Sequence, residues 1–185
     1  MARHARNGTF CSAGSSSWVM QYDLDASVHE IRPSHFEGFY AEAWLEVYRP
    51  LAATLGDREL AREAVDEAMA RAFAHWTTVR KLGNAKGWVY RVAYHWAIDR
   101  IRKRNTERGI IPRLAHSSVE DTPVVAPELS GALASLPVEQ RAVVVLACVF
   151  DWPQREIAHV LGIQVGTVKS RLHRGLERLR EELGQ

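Results

Sequence analysis

The chain has 185 residues, of which 46% are hydrophobic and 25% are charged, and its formal net charge is +2. These proportions are ordinary for a soluble globular protein and argue against a collagen-like repeat or wholesale disorder. No stretch approaches the ~20 apolar residues that span a bilayer, and no apolar segment follows the basic first residues, so we expect a cytoplasmic protein without membrane insertion.

Charged residues are segregated along the chain. Residues 35–79 hold four Lys and Arg against eight Asp and Glu, whereas residues 80–108 hold nine against two. Neighbouring blocks of opposite sign predict two different partner surfaces, one of them for a polyanion.

A helical hydrophobic period predicts a first domain of three helices within residues 35–104. Pro50 places the end of the first helix nearby, Asp57 is expected to cap the second, and Asn84 to cap the third. In the second helix the apolar stripe predicts burial of Leu60, Ala64, Val65, Ala68, Met69, Ala72, Phe73 and Trp76. In the third it predicts burial of Ala85, Trp88, Val89, Val92, Ala93, Trp96, Ala97 and Ile101, with Lys86, Tyr90, Arg91, Tyr94, His95 and Arg102 pointing outward.

Two segments lack this period. We interpret residues 1–34, which include an alternative start at Met20, as a flexible N-terminal arm. Residues 105–130 contain three prolines and a small acidic cluster, and so long a stretch without a pattern favours a linker between domains.

Residues 131–185 become helical again. The stretch 138–150 is almost wholly apolar and predicts a buried central helix that follows Pro137. Pro153 opens a short helix at 154–161, and a turn at 162–166 leads to a final helix at 167–183. We therefore expect an all-α protein with two small helical domains joined by a flexible linker.

Residues 153–174 match a helix-turn-helix, with Gly162 in the turn. The expected packing brings Ile157, Ala158 and Leu161 against Val168 and Leu172. Cations and hydroxyls that suit phosphates and base edges of duplex DNA then project outward from the final helix, namely Thr167, Lys169, Ser170, Arg171, His173 and Arg174. The alternative is a solvated helix in an ordinary bundle.

The helices of the first domain carry two further candidate surfaces. On the third helix, Tyr90, Tyr94 and His95 alternate with Lys81, Lys86 and Arg91, which suits stacking of unpaired bases beside phosphates. On the second helix, Glu63, Asp66 and Glu67 share one face, which favours a protein-docking surface. For both surfaces a plain solvated face is the alternative.

No catalytic or metal constellation stands out. His95 and Asp99 lie one helical turn apart without a convincing third ligand, and Cys11 and Cys148 lack C-x-x-C spacing. A glycine-rich phosphate loop and an H-E-x-x-H motif are absent. We therefore expect a protein that is not an enzyme and needs neither a cofactor nor a metal.

The ordered combination resembles the extracytoplasmic-function (ECF) sigma factors of bacteria, the smallest members of the sigma-70 superfamily. Three stretches carry the resemblance. AREAVDEAMARAF at 61–73 is similar to the core-polymerase-binding helix, and GWVYRVAYHWAIDRIRKR at 87–104 to the promoter-melting and minus-ten helix. LPVEQRAVVVLACVFDWPQREIAHVLGIQVGTVKSRLHRGLERLR at 136–180 is similar to the domain that binds the minus-thirty-five element.

The resemblance implies an RNA polymerase sigma factor with core polymerase and promoter DNA as partners, and an anti-sigma factor as a further one. Glu63, Asp66 and Glu67 would meet the clamp helices of the largest polymerase subunit, and the flap of the second-largest subunit is a further implied contact. The residues implied to hold melted minus-ten DNA are Lys81, Asn84, Lys86, Arg91, Tyr94, His95 and Arg100. Arg155 would join the final helix at the minus-thirty-five element.

The chain departs from the family pattern at two places. Asp66 stands where glutamine is usual, and Tyr94-His95 stands where Arg-Asn is usual, so an uncommon minus-ten preference is expected. A rival interpretation is a helix-turn-helix activator whose first domain senses a signal, but a sensor has no need of a basic helix facing the same polyanion. An enzyme with a DNA-binding tail lacks any site to name.

Overall fold

The computed structural model describes residues 35–108 and 126–184. Within these ranges every regular element is a helix, which confirms the all-α prediction. The predicted arm at 1–34 and the central part of the predicted linker, 109–125, lie outside the described residues.

The first range contains three long helices and one short one. These are α1 (Phe36–Leu55), α2 (Arg58–Ala74), α3 (Trp76–Val79) and α4 (Ala85–Arg108). The second range contains α5 (Pro127–Ala134), α6 (Val138–Val144), a π-helical turn that continues α6 (Val145–Val149), α7 (Gln154–Leu161) and α8 (Val165–Glu182).

Helices α1, α2 and α4 form an N-terminal bundle around their predicted apolar stripes. The predicted caps are confirmed: the Asp57 side chain accepts from the Leu60 N–H at 2.9 Å, and Asn84 Oδ1 accepts from the Gly87 N–H at 2.6 Å. Each cap satisfies a backbone donor that the first turn of a helix leaves unpaired.

Helix α1 does not end near Pro50 but continues to Leu55. A proline inside a helix removes a backbone hydrogen bond at a cost of about 3 kcal/mol. The continuation buries Leu51 and Leu55 completely, and this burial offsets the cost.

Two aromatic residues of α2 and α3 depart from the predicted stripe. Phe73 is 62% exposed rather than buried, and Trp76 is half-buried at the start of α3. Helix α2 ends at Ala74, so the helical period does not carry through to Trp76, while Phe73 in the last turn faces solvent. Phe36 contacts both rings edgewise, with centroids 5.1 Å from Phe73 and 5.3 Å from Trp76.

A buried arginine links the start of α6 to the end of α5 and to α1. Arg141 is 4% exposed, and its Nη2 donates to the carbonyls of Ala134 and Leu136 at 3.0 and 2.9 Å. Its Nη1 donates across to the Thr54 carbonyl in α1 at 3.5 Å. Burial lowers the pKa of Arg141 to about 10, which leaves the guanidinium charged at neutral pH.

The C-terminal helices pack directly onto the N-terminal bundle. Helix α7 lies against α4, and α6 with its π-helical turn lies against α1. One apolar cluster joins the two halves and includes Val47 and Tyr90 on one side with Leu146 and Ile157 on the other. The halves of the described chain are therefore docked rather than separate.

The helices extend into both ends of the predicted linker. Helix α4 runs to Arg108, four residues beyond the expected end of the first domain, and α5 begins at Pro127. Pro127 is a favourable first helical residue, which explains the early start of α5.

Candidate nucleic-acid and polymerase interfaces

Helices α7 and α8 form the predicted helix-turn-helix. Gly162 ends α7 in the left-handed conformation, with φ +67°, and the Ile163 N–H donates to the Ala158 carbonyl at 2.9 Å. Glycine adopts this conformation without the steric cost that a Cβ would add. The predicted packing residues Ile157, Ala158, Leu161 and Val168 are buried, and Leu172 is half-buried.

The final helix begins earlier than predicted. Helix α8 starts at Val165 because the Gln164 carbonyl accepts from the N–H groups of Thr167 and Val168 at 2.9 and 3.1 Å. Gly166 therefore belongs to the first turn of α8, and the connecting turn is only Gly162–Gln164.

The candidate contacts on α8 differ in exposure. Lys169, His173 and Arg174 are exposed, as is Arg155 on α7, whereas Thr167, Ser170 and Arg171 are half-buried. His173 lies 3.1 Å from the Glu177 carboxylate, one turn along the helix. Arg155, Lys169 and Arg174 therefore present cationic side chains that are available to a phosphate backbone.

The residues expected around melted DNA divide into two groups. Lys81, His95 and Arg100 are exposed, and the Arg100 guanidinium lies 4.7 Å from the centre of the Trp96 ring. Lys86 pairs with Glu46 at 2.9 Å on the bundle surface. The remaining members, Asn84, Arg91 and Tyr94, are engaged by the C-terminal half.

The prediction that Tyr90 and Tyr94 point outward is wrong. Tyr90 is 0% exposed, with its hydroxyl 3.3 Å from Thr54 Oγ1, and Tyr94 is 6% exposed. The two rings stack with centroids 6.3 Å apart, and the Tyr90 ring lies 5.4 Å from that of Trp152. The helical period marks the side of α4 that faces its own bundle, and docking of the C-terminal half buries the other side as well.

The surroundings of Tyr94 include charges from both halves. Burial, followed by the Glu139 carboxylate, raises the pKa of Tyr94 to about 12, while Arg171 and Arg102 act in the opposite direction. Arg171 of the helix-turn-helix therefore lies near the aromatic face of α4.

The acidic face of α2 is largely open to solvent. Glu63 and Asp66 are exposed, and Glu67 pairs with Arg71 at 2.8 Å one turn along the helix. Asp66 Oδ1 accepts from the Trp44 indole N–H at 2.8 Å, which ties α2 to α1. The face can thus receive a basic partner without rearrangement of its backbone.

Residues 35–108 and 126–184 contain no group of three His, Cys, Asp or Glu side chains placed to hold a metal ion. In the same part of the chain no helix is both long and apolar enough to cross a membrane. Cys148 is a free, exposed thiol.

Sequence reasoning missed the residues that join the two halves. Glu156 and the His159 carbonyl of α7 accept hydrogen bonds from Asn84 Nδ2 and Arg91 Nη1, and Trp152 contacts Tyr90. The role of Arg141 could have been predicted from the sequence, because it directly precedes the apolar run Ala142–Leu146. A cation that is buried with such a run needs hydrogen-bond acceptors such as backbone carbonyls. The contacts of α7 with α4 have no such signal in the sequence, because they depend on how the two halves pack together.

The comparisons with known proteins agree in both halves of the chain. Residues 45–107 match the family model of Sigma-70 region 2, and residues 127–179 match that of Sigma-70, region 4. The ECF RNA polymerase sigma factor SigW of Bacillus subtilis is 30% identical over 155 residues, covering 75% of this chain and 83% of SigW. SigL of Mycobacterium tuberculosis H37Rv is 31% identical over 156 residues, covering 78% of this chain and 88% of SigL.

A solved structure shares the fold. The sigma factor RpoE of Bartonella quintana, in complex with the anti-sigma factor NepR, has a TM-score of 0.67 at 21% identity, covering 80% of this chain and 96% of RpoE. The two family models and the SigW and SigL relatives show that the chain belongs to the ECF sigma factors of the sigma-70 family.

Proposed function

We propose that this sigma factor docks on core RNA polymerase through the acidic face of α2, holds melted minus-ten DNA along α4, and reads the minus-thirty-five element with α8. The observation that supports these separate roles is that one chain carries two different surfaces, each of which could bind DNA. One is a helix-turn-helix with exposed cations, and the other is a basic helix that carries aromatic residues.

The chemistry of the two surfaces supports different forms of DNA. Lys169 and Arg174 extend from a single exposed helix that fits a major groove, where arginine pairs well with guanine edges. The exposed His95 ring of α4 is a flat group that stacks on bases only when they are unpaired, whereas Tyr94 is buried in this structure. Duplex recognition and strand holding are therefore assigned to different helices.

The proposed polymerase contact uses Glu63, Asp66 and Glu67. Exposed carboxylates at the surface of a rigid bundle favour fast association with a basic partner. The C-terminal half, residues 131–185, would contact the flap of the second-largest subunit. An anti-sigma factor would bind the free protein, and the similar sigma factor RpoE has been solved in complex with the anti-sigma factor NepR.

A sigma factor of this kind is not itself an enzyme and works in the cytoplasm, where polymerase and chromosome meet. Activity would therefore appear only in combination with core polymerase. This expectation separates the proposal from an activator, which binds an operator and needs a different sigma factor for transcription.

The test is run-off transcription with purified core polymerase on a library of genomic fragments. We expect defined transcripts with this protein added and none with core polymerase alone. Absence of transcripts, together with failure to co-purify with core polymerase, would overturn the proposed function. Transcripts that need an additional sigma factor would instead support the activator.

A further inference from the structure

The N-terminal bundle carries a group of aromatic side chains around its first helical residue. The Phe36 ring centroid lies 5.1 Å from that of Phe73 and 5.3 Å from that of Trp76. The same ring lies 6.1 Å from Tyr40. Phe73 is 62% exposed and Tyr40 is 41% exposed, whereas Phe36 and Trp76 are half-buried. These four residues form an aromatic patch that is open to a partner.

The aromatic patch contains a polar atom without a partner. Trp76 Nε1 is buried and has no hydrogen-bond acceptor within residues 35–108 and 126–184. A buried indole N–H normally finds an acceptor, because burial without one costs the hydrogen bond that it makes with water in the unfolded chain. A peptide segment that packs on the patch can supply a backbone carbonyl for this N–H.

The aromatic patch is small for a separate protein and sufficient for a tethered segment. An aromatic side chain has about 150–250 Å² of surface, so four partly exposed ones offer roughly 300 Å². A stable complex of two proteins buries about 800 Å² on each partner. A segment of the same chain needs less area, because its tether raises its local concentration to about the millimolar range.

The chain supplies such a segment directly before the patch. Residues 1–34 precede Phe36, so the end of the N-terminal arm meets the patch without a linker. Leu24, Val28 and Ile31 are the large aliphatic residues of the arm nearest to α1. An extended residue spans up to about 3.5 Å, so the five steps from Ile31 to Phe36 exceed the separation of the patch rings.

We propose that residues 24–31 of the N-terminal arm fold back and pack on the aromatic patch. The aliphatic side chains of this segment cover the exposed Phe73 ring, and one of its backbone carbonyls accepts from the Trp76 indole N–H. For these residues the proposal replaces the prediction of a flexible arm. The contact belongs to the free protein and does not depend on the proposed function.

A photo-crosslinker in the aromatic patch identifies the segment that covers it. Phe73→p-benzoylphenylalanine keeps an aromatic ring at an exposed position, and ultraviolet light couples this ring to the chain that touches it. The free, full-length variant is irradiated, and mass spectrometry locates the crosslinked residue. The matched control is Leu45→p-benzoylphenylalanine, at a 45% exposed position of α1 outside the patch. We expect crosslinks to residues 24–31 from position 73 and none from position 45.

Serine substitutions in the arm test which of its residues bind. Val28→Ser with Ile31→Ser, combined with the crosslinker at position 73, should lower the yield of the arm crosslink at least tenfold. The reason is that burial of each aliphatic side chain favours the covered patch by about tenfold or more. The control Phe10→Ser with Val19→Ser makes the same kind of change earlier in the arm and should leave the yield unchanged.

Footprinting of the protein without a crosslinker guards against a patch disturbed by the substitution at position 73. Phe73 of the wild type should be protected from hydroxyl radicals and become several times more reactive in Val28→Ser with Ile31→Ser. Circular dichroism should be the same for both proteins, because the substituted residues lie outside the helices of the bundle. Equal Phe73 reactivity in the two proteins would overturn the proposal.

Other occupants of the aromatic patch give other crosslinks. A product with twice the mass of the chain would assign the patch to a second copy, and a crosslink that forms only with core polymerase would assign it to polymerase. Either result without a crosslink to residues 24–31 would overturn the proposal, as would the absence of any crosslink from position 73. Sigma activity is measured by transcription, so the proposed function stands or fails separately from these results.

Discussion

Arg171 and Arg174 lie one turn apart on α8, yet their surroundings differ. Arg174 is exposed, whereas Arg171 is half-buried toward α4 and close enough to affect the Tyr94 hydroxyl. Arg174 is therefore presented to a duplex without any rearrangement, whereas Arg171 is partly covered.

Arg174→Ala should weaken binding of the polymerase complex to a promoter by about 1–3 kcal/mol, since it removes a cation that contacts a base or a phosphate. Association with core polymerase should be unchanged. Mobility-shift titration at fixed salt measures the promoter affinity, with Arg180→Ala in the last turn of α8 as the matched control. Equal affinities for the two variants would remove Arg174 from the DNA surface.

At the scale of single elements, two glycines of the helix-turn-helix should respond to alanine in opposite directions. Gly162 has φ +67° and closes α7, whereas Gly166 lies in the first turn of α8 with open space around its Cα. An alanine in the left-handed conformation costs about 1–2 kcal/mol, and an alanine in place of a helical glycine gains about 0.4–1 kcal/mol.

Gly162→Ala should therefore lower the free energy of unfolding and Gly166→Ala should raise it. Urea denaturation followed by circular dichroism measures both. If both substitutions changed stability in the same direction, the assigned boundary between α7 and α8 would be wrong.

The exposed face of α2 permits a charge reversal that leaves folding intact. Glu63→Lys with Glu67→Lys should abolish association with core polymerase but change the free energy of unfolding by no more than about 0.5 kcal/mol per site, apart from the surface pairs of Glu67 with Arg71 and of Glu63 with Arg100. The control is Glu37→Lys with Glu42→Lys, which reverses two exposed charges on α1. Pull-down with core polymerase measures the association of both variants. If the α2 variant still bound core polymerase, the acidic face of α2 would be a solvated surface and not a docking site.

Local signals predicted these elements well. Asp57 and Asn84 were identified because a cap acts within three residues of its own position, and α7 was bounded correctly by Pro153 and Gly162. Tyr90 and Tyr94 were misplaced because their burial depends on a half of the chain that is more than forty residues away in sequence. A hydrophobic period cannot reveal a second packing face whose residues are aromatic and partly polar.

At the scale of the whole molecule, the shared apolar cluster should couple the unfolding of the two halves. Residues of α1 and α4 pack in one cluster with residues of α6, α7 and the π-helical turn. Arg141 adds a buried bond between α5–α6 and α1. The halves therefore stabilise one another, although family models treat regions 2 and 4 separately.

Differential scanning calorimetry of the free protein should give one transition, with equal calorimetric and van't Hoff enthalpies. Tryptophan fluorescence and far-ultraviolet circular dichroism should follow the same curve. Two resolved transitions in the wild type would show that the halves unfold independently and that the docked interface contributes little.

The burial of Tyr94 also bears on which nucleic acid the free protein meets in a cell. Stacking on aromatic rings is tolerant of sequence, so an uncovered ring on a basic helix would bind single strands at replication forks, repair gaps and bubbles opened by other polymerases. With its ring stacked on Tyr90 and 6% of its surface exposed, Tyr94 presents no such open face in this structure.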